Sequence, residues 1–168
     1  MYERLGFNFE GISEDLLNVD LLLSSPHLYG QGLVKYIRHG QSFDLYSQAG
    51  YLENMDCPVK VEGMERLNPT LFQNCQRLAQ HFGHVGPVSA HLFVSPQDGV
   101  SFPMHTDLDD VVIYMVSGRK VFEFPNGQVE LVAGDSIHIP RGQLHRAINV
   151  DSSVMLSFGL ELFLEAKL

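Results

Sequence analysis

Cysteine is scarce: only Cys57 and Cys75 occur, in no metal-like spacing, and they read as reduced, structural thiols. Basic residues are few, with 11 Lys and Arg against 20 Asp and Glu and a net charge of −9. A surface of that sign repels phosphate backbones, which disfavours sequence-independent nucleic-acid binding but leaves local basic patches open. Apolar runs such as Val111–Val116 fall far short of the roughly 18 residues that cross a membrane. The opening stretch MYERLGFNFEG has no basic region followed by an apolar one, so no signal peptide is visible and the expected address is the cytoplasm. Fixed-period repeats and low-complexity tracts are absent too.

What is present describes a folded chain. With 168 residues, 45% of them hydrophobic, and a mean hydropathy of −0.01, one domain spanning 1–168 is expected. Its first part, 1–87, is helical and mixed. Ser13 before Glu14-Asp15 and Leu16-Leu17 marks a capped helix running to about Leu23. A second helix is predicted from an Asn68 cap, with Pro69 first, to Gly83, because Leu71, Phe72, Cys75, Leu78, Ala79 and Phe82 recur at three- and four-residue steps. Gly30 to Gly63 is turn-rich, with short strand candidates such as Leu33–Ile37. From Val88 the pattern turns to period two. Val88–Ser95, Asp110–Val116, Lys120–Phe124, Gln128–Leu131, Ser136–Ile139, His145–Asn149 and Val154–Leu162 are strand-like and separated by Gly, Pro, Asn or Asp. Seven such strands over 88–162 predict a mostly β core, a closed barrel or double-sheet jelly roll, with the N-terminal helices packed outside.

Two motifs carry chemistry. His105-Thr106-Asp107 would place an imidazole and a carboxylate on the same face of a strand. Alone this pair says little, because His-x-Asp is common. The stretch from Gly134 through Pro140, Gly142 and His145 to Asn149 is more specific, and it resembles the second signature of the cupin superfamily at every specified position. Pro140 and Gly142 make a tight reversal that delivers His145 into the next strand. The first cupin signature then fits Gly99, His105, Asp107 and Gly118, with two departures: Asp107 replaces a His, and the usual Glu position falls near Val111. Two His and one carboxylate remain, the donor set of the non-haem Fe(II) oxygenases, with open positions for cosubstrate and oxygen.

Lys120 lies fifteen residues after His105 and shares its strand face with Phe122 and Phe124, which belong inside. The segment HTDLDDVVIYMVSGRKVFEF is similar to that of JmjC-like hydroxylases, the group containing the asparaginyl hydroxylase of hypoxia-inducible factor and the ribosomal oxygenases. The resemblance implies a double-stranded β-helix (cupin) barrel holding Fe(II) through His105, Asp107 and His145, with O2 and 2-oxoglutarate as cosubstrates. It implies that Lys120 pairs with the distal carboxylate and that Ser157 contacts the cosubstrate. The activity so implied is dioxygenase hydroxylation of an amino-acid side chain, free or in a peptide or protein, or of a small metabolite. A metal-dependent cupin enzyme that does not use 2-oxoglutarate, and a non-catalytic ligand-binding cupin, stand as alternatives.

Other positions carry less. The family's hydroxyl-bearing residue three before the first His is Phe102 here. Arg141 reads as exposed, Asn149 as a fold residue, and Asp109 and Asp110 as a hairpin entrance. His91, on the strand leading to His105, is a candidate for lining the cavity. Since the sequence ends just after the last strand, the C-terminal helical and winged-helix parts of larger relatives, with their mode of dimerisation, are not expected. Oligomeric state is not legible from these residues.

Overall fold

Residues 1–162 are described by the computed structural model of the protein. In sequence order the elements are β1 (Glu3–Arg4), α1 (Glu14–Leu17), α2 (Val19–Leu23), α3 (Pro26–Gly30), β2 (Val34–Arg38), β3 (Gln41–Asp44), α4 (Gln48–Glu53), β4 (Val59–Val61), α5 (Met64–Leu67), α6 (Pro69–Phe82), β5 (Val88–Ser95), β6 (Asp110–Ser117), β7 (Arg119–Phe124), β8 (Gly127–Val132), β9 (Ser136–Ile139), β10 (Arg146–Asn149) and β11 (Ser153–Leu160). The strands form two antiparallel sheets, one ordered β1-β9-β6-β11-β5-β4-β2-β3 and one ordered β10-β7-β8. They face each other as the two walls of a cupin-type jelly roll.

The large sheet is buried on both faces, so its central strands read as almost unbroken apolar runs. On one face Ala90, Leu92, Val112, Leu156 and Phe158 pack in one core with Leu71, Cys75 and Leu78 of α6. On the other, Val111, Ile113, Met115 and Met155 meet Phe122, Phe124, Val129 and Leu131 of the small sheet. Helix α6 forms where the sequence predicts it. The Asn68 side chain accepts from the Thr70 and Leu71 amides at 2.9 and 3.3 Å, and Gly83 closes the helix at φ 60°. Gly118, at φ 75°, makes the β6–β7 turn, where a Cβ would run into the Ser152 carbonyl.

Three features differ from expectation. The helix over 13–23 is two short helices, because Asn18 adopts a left-handed conformation (φ 41°) and its amide closes α1 on Glu14 O. The turn-rich region supplies β2, β3 and β4, which extend the large sheet beyond β5. The last strand ends at Leu160 rather than Leu162, and the Leu162 amide donates to Asp109 Oδ1 at 3.0 Å. Among the described residues no helix is long and apolar enough to cross a membrane.

Candidate metal centre and its cavity

His105, Asp107 and His145 come together. The backbones of His105 and His145 face one another in an isolated antiparallel bridge, each amide donating to the other's carbonyl at 3.0 and 2.9 Å. The Gly142 amide donates to the Asp107 carbonyl at 3.0 Å, which ties the reversal before His145 to the loop carrying the carboxylate. The sequence placed His105 and Asp107 on a strand and His145 at a strand start. They lie instead in the β5–β6 loop and just before β10, and this bridge sets the side-chain directions that a strand would have set.

Both imidazoles are oriented from behind. His105 Nδ1 lies 2.8 Å from Pro103 O, and His145 Nδ1 lies 2.8 Å from Gln143 O. A carbonyl only accepts, so each Nδ1 is the protonated nitrogen and each Nε2 of a neutral ring presents a lone pair. Those atoms lie 3.6 Å (His105) and 3.3 Å (His145) from the two Asp107 oxygens, and one donor atom from each residue falls within 4.8 Å of the others. Two lone pairs facing a carboxylate repel unless a cation sits among them. The donor set therefore fits a divalent transition metal. The electrostatics agree. Burial alone would raise the Asp107 pKa, but His145 and His105 hold it below the usual carboxylate range. Burial alone would lower that of His145, yet Asp107 and the Gln143 carbonyl push it up.

A cavity of about 450 Å³ opens beside these residues. Lys120 lines it and is only 1% exposed, among the largest fully buried side chains of the described residues. Its Nζ donates to Ser95 Oγ at 3.1 Å and lies 5.9 Å from the centre of the Phe93 ring. No carboxylate pairs with it among the described residues, and burial pulls its pKa down from 10.5 to about 7. Ser157 and His91 face each other in register on β11 and β5, and both line the cavity. Phe102 lines it as well, its ring 5.9 Å from His105.

The weaker positions resolve separately. Asp110 pairs with His138 at 2.9 Å and accepts from the Arg141 amide, away from the metal donors. Asn149 donates to Gly99 O at 2.5 Å and to Ser101 Oγ, a bond that holds the loop before His105. Two polar residues at the site were missed in the sequence: Ser95, which bonds Lys120, and Lys60, which lines the cavity. Ser95 could have been found by parity with His91 on the same strand. Lys60 stood in the turn-rich region, where the short alternation Val59-Lys60-Val61 was the only signal.

Fold and site together define a jelly roll of the cupin type with two imidazoles and one carboxylate lining its cavity. Residues 91–160 match the family model of the cupin domain. The bifunctional lysine-specific demethylase and histidyl-hydroxylase NO66 of Dictyostelium discoideum is 25% identical over 118 residues, covering 55% of this chain and 23% of that protein. Among solved structures, the ribosomal oxygenase YcfD of Escherichia coli superposes with a TM-score of 0.64 at 18% identity over 96% of this chain and 48% of that one. The same enzyme in complex with cobalt and 2-oxoglutarate gives 0.63 at 17% identity, over 97% and 48%. This chain thus spans about half the length of that structural relative and about a quarter of the curated one.

Proposed function

We propose that this protein is an Fe(II)- and 2-oxoglutarate-dependent oxygenase that hydroxylates an amino-acid side chain, free or in a peptide or protein, or a small metabolite. The observation that carries the reading is the tiering of the cavity. On β10 and the residue before it, His145, Ala147 and Asn149 fall on one face, and in register on β7 Phe122 stands opposite Ala147 and Lys120 opposite Asn149. Phe93 and Met155 face each other in the large sheet. Metal donors therefore lie at one end, an apolar waist in the middle and a buried cation at the other end. His145 to the Lys120 row is four residues, roughly 13 Å of strand, part of which the lysine side chain spans. A dicarboxylic 2-oxo acid with two methylenes between its ends has the matching order: chelating, apolar, anionic.

His105, Asp107 and His145 would hold Fe(II), which when bound supplies the redox chemistry for oxygen-dependent decarboxylation of the 2-oxo acid and oxidation of a substrate C–H bond. Lys120 anchors the far carboxylate, with Ser95 fixing the ammonium and Ser157 contacting the cosubstrate. Phe93, Phe122 and Met155 exclude water from the methylenes. The protein thus orients and shields the reactants rather than moving protons. Histidyl hydroxylation and ribosomal oxygenation by the relatives support an amino-acid side chain as the target, and the net charge of −9 speaks against RNA. Two buried free cysteines suit a reducing, cytoplasmic setting.

Oxygen-dependent succinate formation by the Fe(II)-reconstituted protein tests the proposal. Lys120→Ala should raise the KM for 2-oxoglutarate by about 10- to 100-fold, the worth of a charged hydrogen bond. Turnover with unchanged cosubstrate dependence would reject it in favour of a cupin enzyme that does not use 2-oxoglutarate.

A further inference from the structure

The cavity contains a second lysine. Val59 and Val61 turn into the helix-side core at 1% and 0% exposure, so Lys60 between them turns to the other face. It stands in register with Phe93, its Nζ lies 5.8 Å from that ring's centre, and it lines the same cavity as the metal donors. Its side chain is only 21% exposed and makes no hydrogen bond among the described residues. The nearest acid, Glu62, is 3.6 Å away and is shared at the same distance with Lys35, which has Asp44 at 3.0 Å and Gly32 O at 3.1 Å to itself. Glu62 is thus divided between two ammonium groups, and the Lys60 Nζ keeps hydrogen-bonding capacity that a ligand in the cavity can take up. The field of Lys60 reaches His91 across the cavity, where burial first and this lysine second lower the pKa. Ser89, Gly159 and Glu161 also line the cavity. After burial and Lys60, His91 feels Glu62, Glu65 and Glu161, in that order, with the opposite sign.

We propose that Lys60 anchors the carboxylate of the primary substrate, and that this substrate presents an α-amino-acid carboxylate, as a free amino acid or as the C-terminus of a peptide. This rests on the oxygenase reading, in which Lys120 is taken by the cosubstrate and cannot serve both anions. Glu161 then faces the α-ammonium of a free amino acid, so that one ligand satisfies charges of both signs in the cavity.

Anaerobic calorimetry on the Fe(II)- and 2-oxoglutarate-loaded protein tests this without turnover. The probes are each of the twenty L-amino acids, their α-carboxamides, and tripeptides ending in the same residues with free or amidated C-termini. At least one free carboxylate should bind, with its amide at least ten-fold weaker. Lys60→Met should bind acid and amide alike, while Lys60→Arg should keep the preference for the acid. Binding by the amino acid or by the tripeptide identifies the source of the carboxylate. Binding by neither, equal binding of acid and amide to the wild type, or a preference surviving in Lys60→Met would overturn the inference. Absent 2-oxoglutarate binding by the wild type would instead overturn the oxygenase reading, and the inference with it.

Discussion

Replacing Lys120 with Met should stabilise the metal-free protein at low pH and lose that advantage as the pH rises. Lys120 is buried, among the described residues bonded only to Ser95 Oγ, and its pKa falls from 10.5 to about 7. That fall corresponds to about 5 kcal/mol of penalty on the charged form. Below pH 7 the side chain is charged in both the folded and the unfolded protein, and the folded one bears the whole penalty. Between pH 7 and 10.5 the unfolded state binds a proton that the folded state has released, so wild-type stability climbs with pH. Met fills a similar volume and does not titrate. The stability gap between variant and wild type should therefore shrink by about 2.5 kcal/mol from pH 6 to pH 9, whatever constant offset the lost Ser95 bond introduces. Urea unfolding of both proteins at several pH values, with chelator and without 2-oxoglutarate, measures the gap, and other titrating groups cancel in the difference. A gap constant across that range would refute the claim that Lys120 is a buried, unpaired cation.

Other outcomes follow from the same geometry. Binding of 2-oxoglutarate should weaken as the pH rises from 7 to 9, because only the ammonium form of Lys120 pairs with the far carboxylate; isothermal titration should show this slope vanish in Lys120→Met. His105→Ala and His145→Ala should lose stoichiometric iron after reconstitution, read by elemental analysis, while keeping the far-UV circular dichroism of the wild type. Gly118→Ala should cost about 2 kcal/mol or more in urea unfolding, since it adds left-handed strain and a clash with the Ser152 carbonyl. Leu92→Ala, in the helix-side core at 0% exposure, should cost about 2–5 kcal/mol by the same measure without altering the pH dependence assigned to Lys120.

The barrel half was legible because each of its strands alternates or runs apolar between turn residues, and both faces of the large sheet obey that pattern. Helix α6 was legible because Asn68, Pro69 and Gly83 punctuate a three-four periodicity. Of the strands between the helices, β2 showed as the candidate Leu33–Ile37, whereas β3 and β4 did not, since three or four residues with polar alternation resemble turns until the sheet supplies their partners. At the site, His105, Asp107, His145 and Lys120 could be read from spacing and parity within single segments. Lys60 could not, because its meaning depends on register with a strand distant in sequence, and parity with His91 gives the face of Ser95 but not its bond to Lys120. Asn18 shows the same limit on a small scale: an asparagine inside a helical pattern takes the left-handed conformation and divides the helix.

The most direct test is an anaerobic titration of 2-oxoglutarate into the Fe(II)-loaded protein, followed by visible absorption. A saturable metal-to-ligand charge-transfer band should appear, vanish in His105→Ala and require far more 2-oxoglutarate in Lys120→Ala. A flat spectrum with iron confirmed as bound would contradict the cosubstrate assignment and leave Lys120 a buried cation without a ligand.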